Sequence, residues 1–356
     1  MSPSATQLPL TERIAQAIDG VTPGVRLCAF RHGQSICEVD VGATADFYDL
    51  ASLTKVVFTQ QALMRAFDKG LWTAQSRVGD WMPDFPHGAL RLVDLLTHTS
   101  GMVWWKPLFE SMPLSASIAE KRHWLLHELG RSALLPAAKA VYSDLGFMLL
   151  GFVLERMHGT DLLSVWERLR ADAYALTTLA MHPDNRPQFA PQRYAPTEAC
   201  PWRHKRLQGE VHDDNTWALG GVSTHAGLFG SLQDMQTFGL MLRDQVLALP
   251  GSALHAETGR KFAQRAIAAD RGDWALGWML PSATGAGCGS YLSPASVGHT
   301  GFTGTSIWFD PRNDLLVVIL SNRVALGREN RRFLDLRPQL HDWVCEQFCA
   351  DMARSR

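Results

Sequence analysis

Lysine is scarce in this 356-residue chain: seven lysines stand against 27 arginines. Other shortages remove whole classes of function. Six cysteines, Cys28, Cys37, Cys200, Cys288, Cys345 and Cys349, include no C-x-x-C pair. That removes the paired-cysteine zinc motifs and leaves buried reduced thiols as the reading. Cys345 and Cys349 have the spacing of one helix face, and two ligands do not make a zinc site. No run approaches the roughly 20 apolar residues that cross a bilayer. Excess charge is missing too: the net charge is −1 and the isoelectric point is near 6.9. A broad electrostatic footprint for nucleic acid or an anionic membrane is thereby excluded. The one basic cluster, Arg203-His204-Lys205-Arg206, precedes Glu210, Asp213 and Asp214 and reads as a solvated loop. The first ten residues carry neither a basic segment nor an apolar one, so the expected compartment is the cytoplasm. A removed signal sequence would make it the periplasm. Internal repeats and low-complexity segments are absent.

What is present suits a globular enzyme: 46% hydrophobic and 19% charged residues. The length predicts two domains, or one with a large insertion. Thr11 to Ile18 reads as a short helix. Val25 to Phe30 and Ile36 to Val41 read as strands joined by a turn around His32-Gly33-Gln34. Leu53, Val56, Val57, Leu63, Met64 and Phe67 fall at helical spacing, with Gly70 as the stop. Short helices follow at 91–96, 118–129 and 145–157, and then a Pro- and Arg-rich irregular stretch from 182 to 209. Strand character returns at Val297 to Thr300, Ser306 to Asp310 and Leu315 to Ser321. A helix interrupted near Pro338 closes the chain.

A lone hairpin is marginal, so the early and late strands need a shared sheet. The predicted class is α+β: an antiparallel sheet built from both chain ends and flanked by helices, with a large, mostly helical insertion. Residues 1–69 and 216–356 would form the sheet domain and 70–215 the helical one.

Ser52-Leu53-Thr54-Lys55 opens the first long apolar helix. Residues i and i+3 share a helix face, so the amine can reach the hydroxyl. Serine is a poor nucleophile at neutral pH without a base in hydrogen-bond reach. Lysine is that base only if burial or a nearby cation pulls its pKa down. Chance alone predicts about 0.4 such matches, so the motif needs company.

Two further motifs supply it. Tyr142-Ser143-Asp144 precedes an apolar helix, and His299-Thr300-Gly301 ends a strand, followed by Phe302-Thr303-Gly304. The order S-x-x-K, Y-S-D, H-T-G resembles the serine β-lactamase and penicillin-binding-protein superfamily, in its class C β-lactamase and esterase branch. Tyr48-Asp49-Leu50-Ala51, Leu95-Leu96-Thr97-His98-Thr99-Ser100-Gly101-Met102, Gly209 to Asn215 and His225-Ala226-Gly227-Leu228-Phe229 also fit. The last two resemble β-lactamase-related proteins of the penicillin-binding protein 4B type. The resemblance covers residues 24 to 345 and implies a β-lactamase/transpeptidase-like fold.

Its implied chemistry is an acyl-enzyme on Ser52. Lys55 would take the serine proton or share it with Tyr142. A phenol of pKa near 10 needs a cation beside it, from Lys55 or a protonated His299. The amides of Ser52 and Phe302 would form the oxyanion hole. Gly301 would let the Thr300 strand edge approach an extended substrate. Asp144 stands where many relatives carry Asn, would ion-pair with Lys55, and disfavours substrates recognised through an Asn side chain. The implied functions are an esterase or a D-amino-acid peptide hydrolase, then a penicillin-binding DD-carboxypeptidase or β-lactamase. A non-catalytic binding protein on the same fold is the alternative of another class. No metal or organic cofactor is called for, and the partner is a small-molecule or peptide substrate. His98, His212 and His225 read as structural. His123 and His127 lack a third metal ligand. Trp104, Trp105 and Trp217 read as packing, or one of them as a cleft wall.

Overall fold

The structure, a computed structural model, describes residues 8–353 except 137, 177 and 283–286. Its main sheet has five antiparallel strands in the order 34–42, 24–31, 315–321, 306–310 and 297–300. Both chain ends therefore build one sheet. Strand Gly24–Arg31 turns into Gln34–Gly42 through His32 and Gly33, both at positive φ (52° and 74°). That is the two-residue turn whose twist matches paired strands. Strands Ser306–Asp310 and Leu315–Ser321 are joined by an Asp-led turn. The Asp310 carboxylate accepts the Arg312 amide at 2.9 Å and the Asn313 side-chain amide at 2.7 Å.

Strand 315–321 is buried on both faces, so its sequence is a continuous apolar run. Val317 and Ile319 face Leu336, Leu340 and Val344 of helix Arg332–Phe348, together with Leu10 and Ile14 of helix Leu10–Ala17. Leu316, Val318 and Leu320 face the larger core, where helix Leu232–Leu247 supplies Met235, Phe238 and Leu242. Gly239 lets that helix lie directly on the sheet: an added Cβ would come within 2.6 Å of Leu316. Gly239→Val is expected to lower stability by about 1–3 kcal/mol through overpacking, read as a shift in the denaturant midpoint.

The segments that carry the site lie between these ends. Helix Asp144–His158 is apolar on nearly all sides and buried through Leu154, as a core helix must be. The helix carrying Lys55 enters as a 3₁₀ turn at Ala51–Leu53. It takes π-helical form at Lys55–Thr59 and becomes α-helical at Gln60–Asp68. Gly70 at φ 72° ends it.

Two sequence expectations are corrected. Helix Arg332–Phe348 runs through Pro338 without ending. Its buried Leu336–Leu340–Val344 stripe outweighs the lost backbone hydrogen bond. Arg203 is not solvated: its side chain is 3% exposed, pairs with Asp214 at 2.8 Å and donates to the Val211 carbonyl at 2.7 Å. No helix among the described residues is long and apolar enough to cross a membrane.

Candidate active site

Ala51, directly before Ser52, holds a left-handed backbone at φ 47°. A non-glycine residue there costs about 1–3 kcal/mol and persists only where its surroundings impose it. Here Asp49 imposes it. Its Oδ1 accepts the Ala51 amide at 2.8 Å, and its Oδ2 accepts the His212 amide at 2.6 Å. The Thr303 and Thr305 hydroxyls donate to the carbonyls of Asp49 and Leu50 at 2.7 and 3.1 Å. These bonds dock the 301–305 turn against the segment leading into Ser52. Gly301 fits that contact, because a Cβ would meet the Leu50 carbonyl oxygen at 2.8 Å. Among the described residues neither the Ser52 amide nor the Phe302 amide has an acceptor. Both donors are thus free for a substrate oxygen.

Lys55 is completely buried. Its ammonium donates to Ser52 Oγ at 3.2 Å, Asp144 Oδ1 at 2.6 Å and the His225 carbonyl at 2.9 Å. Three donors meet three acceptors. Burial pulls the Lys55 pKa down, but the Asp144 carboxylate and Tyr142 more than reverse it, and the net direction is up. The Asp144 pair that the sequence reading set against a lowered Lys55 pKa is in place and works in that direction.

Tyr142 lies 4.9 Å, ring centre to Nζ, from that ammonium. Burial raises its pKa, Lys55 opposes, Asp144 adds to the rise, and the net direction is up. Its ring is held by His98 at 4.7 Å and Trp274 at 6.0 Å, with His299 at 5.9 Å. His98 is neutral. Its Nδ1 accepts the Ser143 amide at 3.0 Å, and burial with Lys55 drives its pKa well below the usual value. Ser143 caps the helix that presents Asp144, its Oγ accepting the Gly146 amide at 3.0 Å.

His299 cannot be the second cation. Burial, then the Lys55 charge, push its pKa to about 3. Its Nδ1–H donates to the Thr300 carbonyl at 2.9 Å, which leaves Nε2 as the bare ring nitrogen.

Ser52, Tyr142, His299, Thr300, Gly301 and Phe302 line one cleft of about 390 Å³. Its other wall carries residues that the sequence reading missed. Arg323 and Arg337 are 2% and 7% exposed, and among the described residues no carboxylate pairs with either. Arg337 Nη1 donates only to the carbonyls of Gly301 and Thr305, at 3.2 and 3.3 Å. Burial, then Arg323, lower its pKa to about 10. Arg323 Nε donates to the Phe302 carbonyl at 2.8 Å and its guanidinium lies 4.6 Å from the Phe302 ring. Arg337 lies on a helix that reads as amphipathic and Arg323 in the 3₁₀ turn Arg323–Leu326, and neither differs in sequence from a solvated arginine.

The histidines read as structural carry site geometry. His225 offers its carbonyl to Lys55, and its ring bonds Asp213 at 2.9 Å and Ser223 at 2.8 Å. Burial alone would raise the Asp213 pKa, but His225 holds it well below the carboxylate range. His212 stacks on Phe302 at 5.6 Å. The Trp217 indole donates to Glu210 at 3.1 Å, while Trp104 stays 61% exposed. His123 and His127 line an open groove. Among the described residues no cluster of His, Cys, Asp or Glu could hold a metal ion.

A serine placed directly after a left-handed residue, bonded to a buried lysine and faced by two free amides, defines a serine hydrolase on a β-lactamase/transpeptidase-like fold. A family model described as beta-lactamase matches residues 10–337, and the chain belongs to that family. An Escherichia coli K12 protein with a provisional D-alanyl-D-alanine carboxypeptidase name is 28% identical, covering 95% of this chain and 88% of its own. Among solved structures, a class C beta-lactamase from Rhodobacter sphaeroides aligns at TM-score 0.64 and 18% identity, over 94% of this chain and 99% of its own. EstCE1, a hydrolase with promiscuous acyltransferase activity, aligns at TM-score 0.68 and 18% identity, over 93% and 97%.

Proposed function

We propose that this serine hydrolase cleaves the amide bond of short D-amino-acid peptides that end in a free carboxylate. The carrying observation is Arg337, a buried guanidinium with no anionic partner, on the wall of the cleft that holds Ser52. Buried charges are ordinarily paired, and a carboxylate is the natural complement of a guanidinium fork. The carboxypeptidase name of the E. coli relative supports the same class of substrate. A neutral ester leaves Arg337 and Arg323 unpaired and desolvated, which places the esterase reading second.

The geometry supports the following reaction. Ser52 Oγ attacks the carbonyl carbon, and the serine proton passes to the Tyr142 phenolate, which becomes the phenol. Lys55, fixed as an ammonium by Asp144, is the cation that favours this phenolate before the proton arrives and again after it leaves. The carbonyl oxygen takes its charge between the amides of Ser52 and Phe302. The carbon–nitrogen bond then breaks, and Tyr142 returns the proton to the leaving amine. Water, deprotonated by the same phenolate, cleaves the Ser52 ester and restores the hydroxyl. His299 is neutral throughout and shapes the strand edge. The six unpaired cysteines support a reducing compartment, the cytoplasm, as the place of action.

Arg337→Met tests the substrate assignment. KM for D-alanyl-D-alanine is expected to rise about 30- to 100-fold, the worth of a charge-assisted pair. Turnover of a p-nitrophenyl ester lacking a carboxylate should change little, and thermal stability should hold, because an unpaired buried charge is removed. Equal losses on both substrates would remove Arg337 from recognition.

A further inference from the structure

Asp144 has one oxygen to spare. Oδ1 takes the Lys55 bond at 2.6 Å, while Oδ2 has no partner among the described residues and the side chain is 16% exposed. Lys55 joins this carboxylate to the nucleophile: the same Nζ that bonds Asp144 bonds Ser52 Oγ at 3.2 Å. The spare oxygen therefore stands one ammonium away from the bond to be cleaved. Arg337 and Arg323 line the cleft beside the 301–305 turn, whereas Asp144 follows the cleft-lining Tyr142 by two residues and reaches Ser52 through Lys55, which sets it apart from the two arginines as a site for the acyl half.

A carboxylate oxygen only accepts hydrogen bonds. A substrate carbonyl set against it leaves two acceptors facing each other with their water removed. A protonated amine supplies both the donor and the opposite charge. Lys55 already lies against Oδ1, so an ammonium at Oδ2 is nearer to its carboxylate than to the like charge. The surroundings suit an amino acid. Trp104, whose carbonyl accepts the Asp144 amide at 2.9 Å, is 61% exposed, and Val141 is 36% exposed. Both are apolar surface for a side chain.

Building on the peptide-hydrolase reading above, we infer that Asp144 selects substrates whose acyl half is a free amino acid, with the α-amino group on Asp144 Oδ2. The cleft then reads both ends of a short zwitterionic peptide, the amine at Asp144 and the carboxylate at Arg337. The intermediate is an α-aminoacyl ester of Ser52, and water releases it as the free amino acid.

The test compares D-alanyl-D-alanine with N-acetyl-D-alanyl-D-alanine. The wild-type protein should show kcat/KM at least about tenfold higher for the free amine. In Asp144→Asn, whose amide can donate to an N-acyl carbonyl, the ratio should fall to near unity or invert, whatever the loss in absolute rate. A ratio unchanged by Asp144→Asn overturns the inference. So does a wild-type preference for the acetylated peptide, which leaves the peptide-hydrolase reading standing. Cleavage of neither dipeptide, alongside turnover of a p-nitrophenyl ester, overturns both.

Discussion

Ser52→Ala is expected to lower kcat by about 10⁴-fold or more while leaving the fold intact. Removing a nucleophile costs nearly everything that covalent catalysis supplies, and only binding and the oxyanion donors remain. Ser52 is a minor structural element by comparison: its hydroxyl accepts one bond from Lys55 at 3.2 Å, and that ammonium keeps Asp144 and the His225 carbonyl without it. Thermal unfolding should therefore shift little while hydrolysis disappears, a separation that stopped-assay kinetics and a melting curve read together. Retained turnover of peptide and ester in the alanine variant would place the chemistry elsewhere.

Tyr142→Phe is the second large effect, a fall in kcat of about 10²- to 10⁴-fold, the range for losing a positioned general base. The phenyl ring keeps the packing with His98 and Trp274 and loses only the hydroxyl. The pH profile carries the sign. The active form of the base is the phenolate, and burial and Asp144 lift the Tyr142 pKa above its ordinary value despite Lys55. Below that pKa the phenolate fraction grows tenfold per pH unit, so kcat/KM for a substrate without a titrating amine, such as N-acetyl-D-alanyl-D-alanine or the ester, should climb from neutral pH toward pH 10. Lys55 stays charged across this range, because its own pKa is raised. No inflection belongs near pH 6.5, since His98 and His299 are both driven well below it. An inflection there that vanishes in His299→Ala would make the histidine, not the tyrosine, the titrating base.

Legibility in the sequence followed range. Strands 297–300, 306–310 and 315–321 were readable to the residue, because Asp310-Pro311-Arg312-Asn313-Asp314 and Gly301–Gly304 punctuate them locally. The Ser52–Lys55 pairing was readable for the same reason, being one turn of one helix. The Asp144–Lys55 ion pair was foreseen from the motif order, although 89 residues separate the partners. That this pair opposes a lowered Lys55 pKa was readable with it, whereas the complete burial and the His225 carbonyl are tertiary facts. His299 shows the same limit: only the packed structure makes the ring neutral. Arg337 was invisible as a cleft residue, since a helix pattern does not say which arginine is roofed over, and Arg323 was equally so in its short turn after strand 315–321. Pro338 misled in the other direction, where tertiary burial overrode a local breaker.

The central claim is an acylated Ser52, and labelling with a fluorophosphonate, read by intact mass and then by peptide mapping, tests it most directly. The expected result is a single adduct, mapped to Ser52, absent from Ser52→Ala and strongly slowed in Tyr142→Phe. An unmodified wild-type protein, or an adduct that persists in Ser52→Ala, would contradict it.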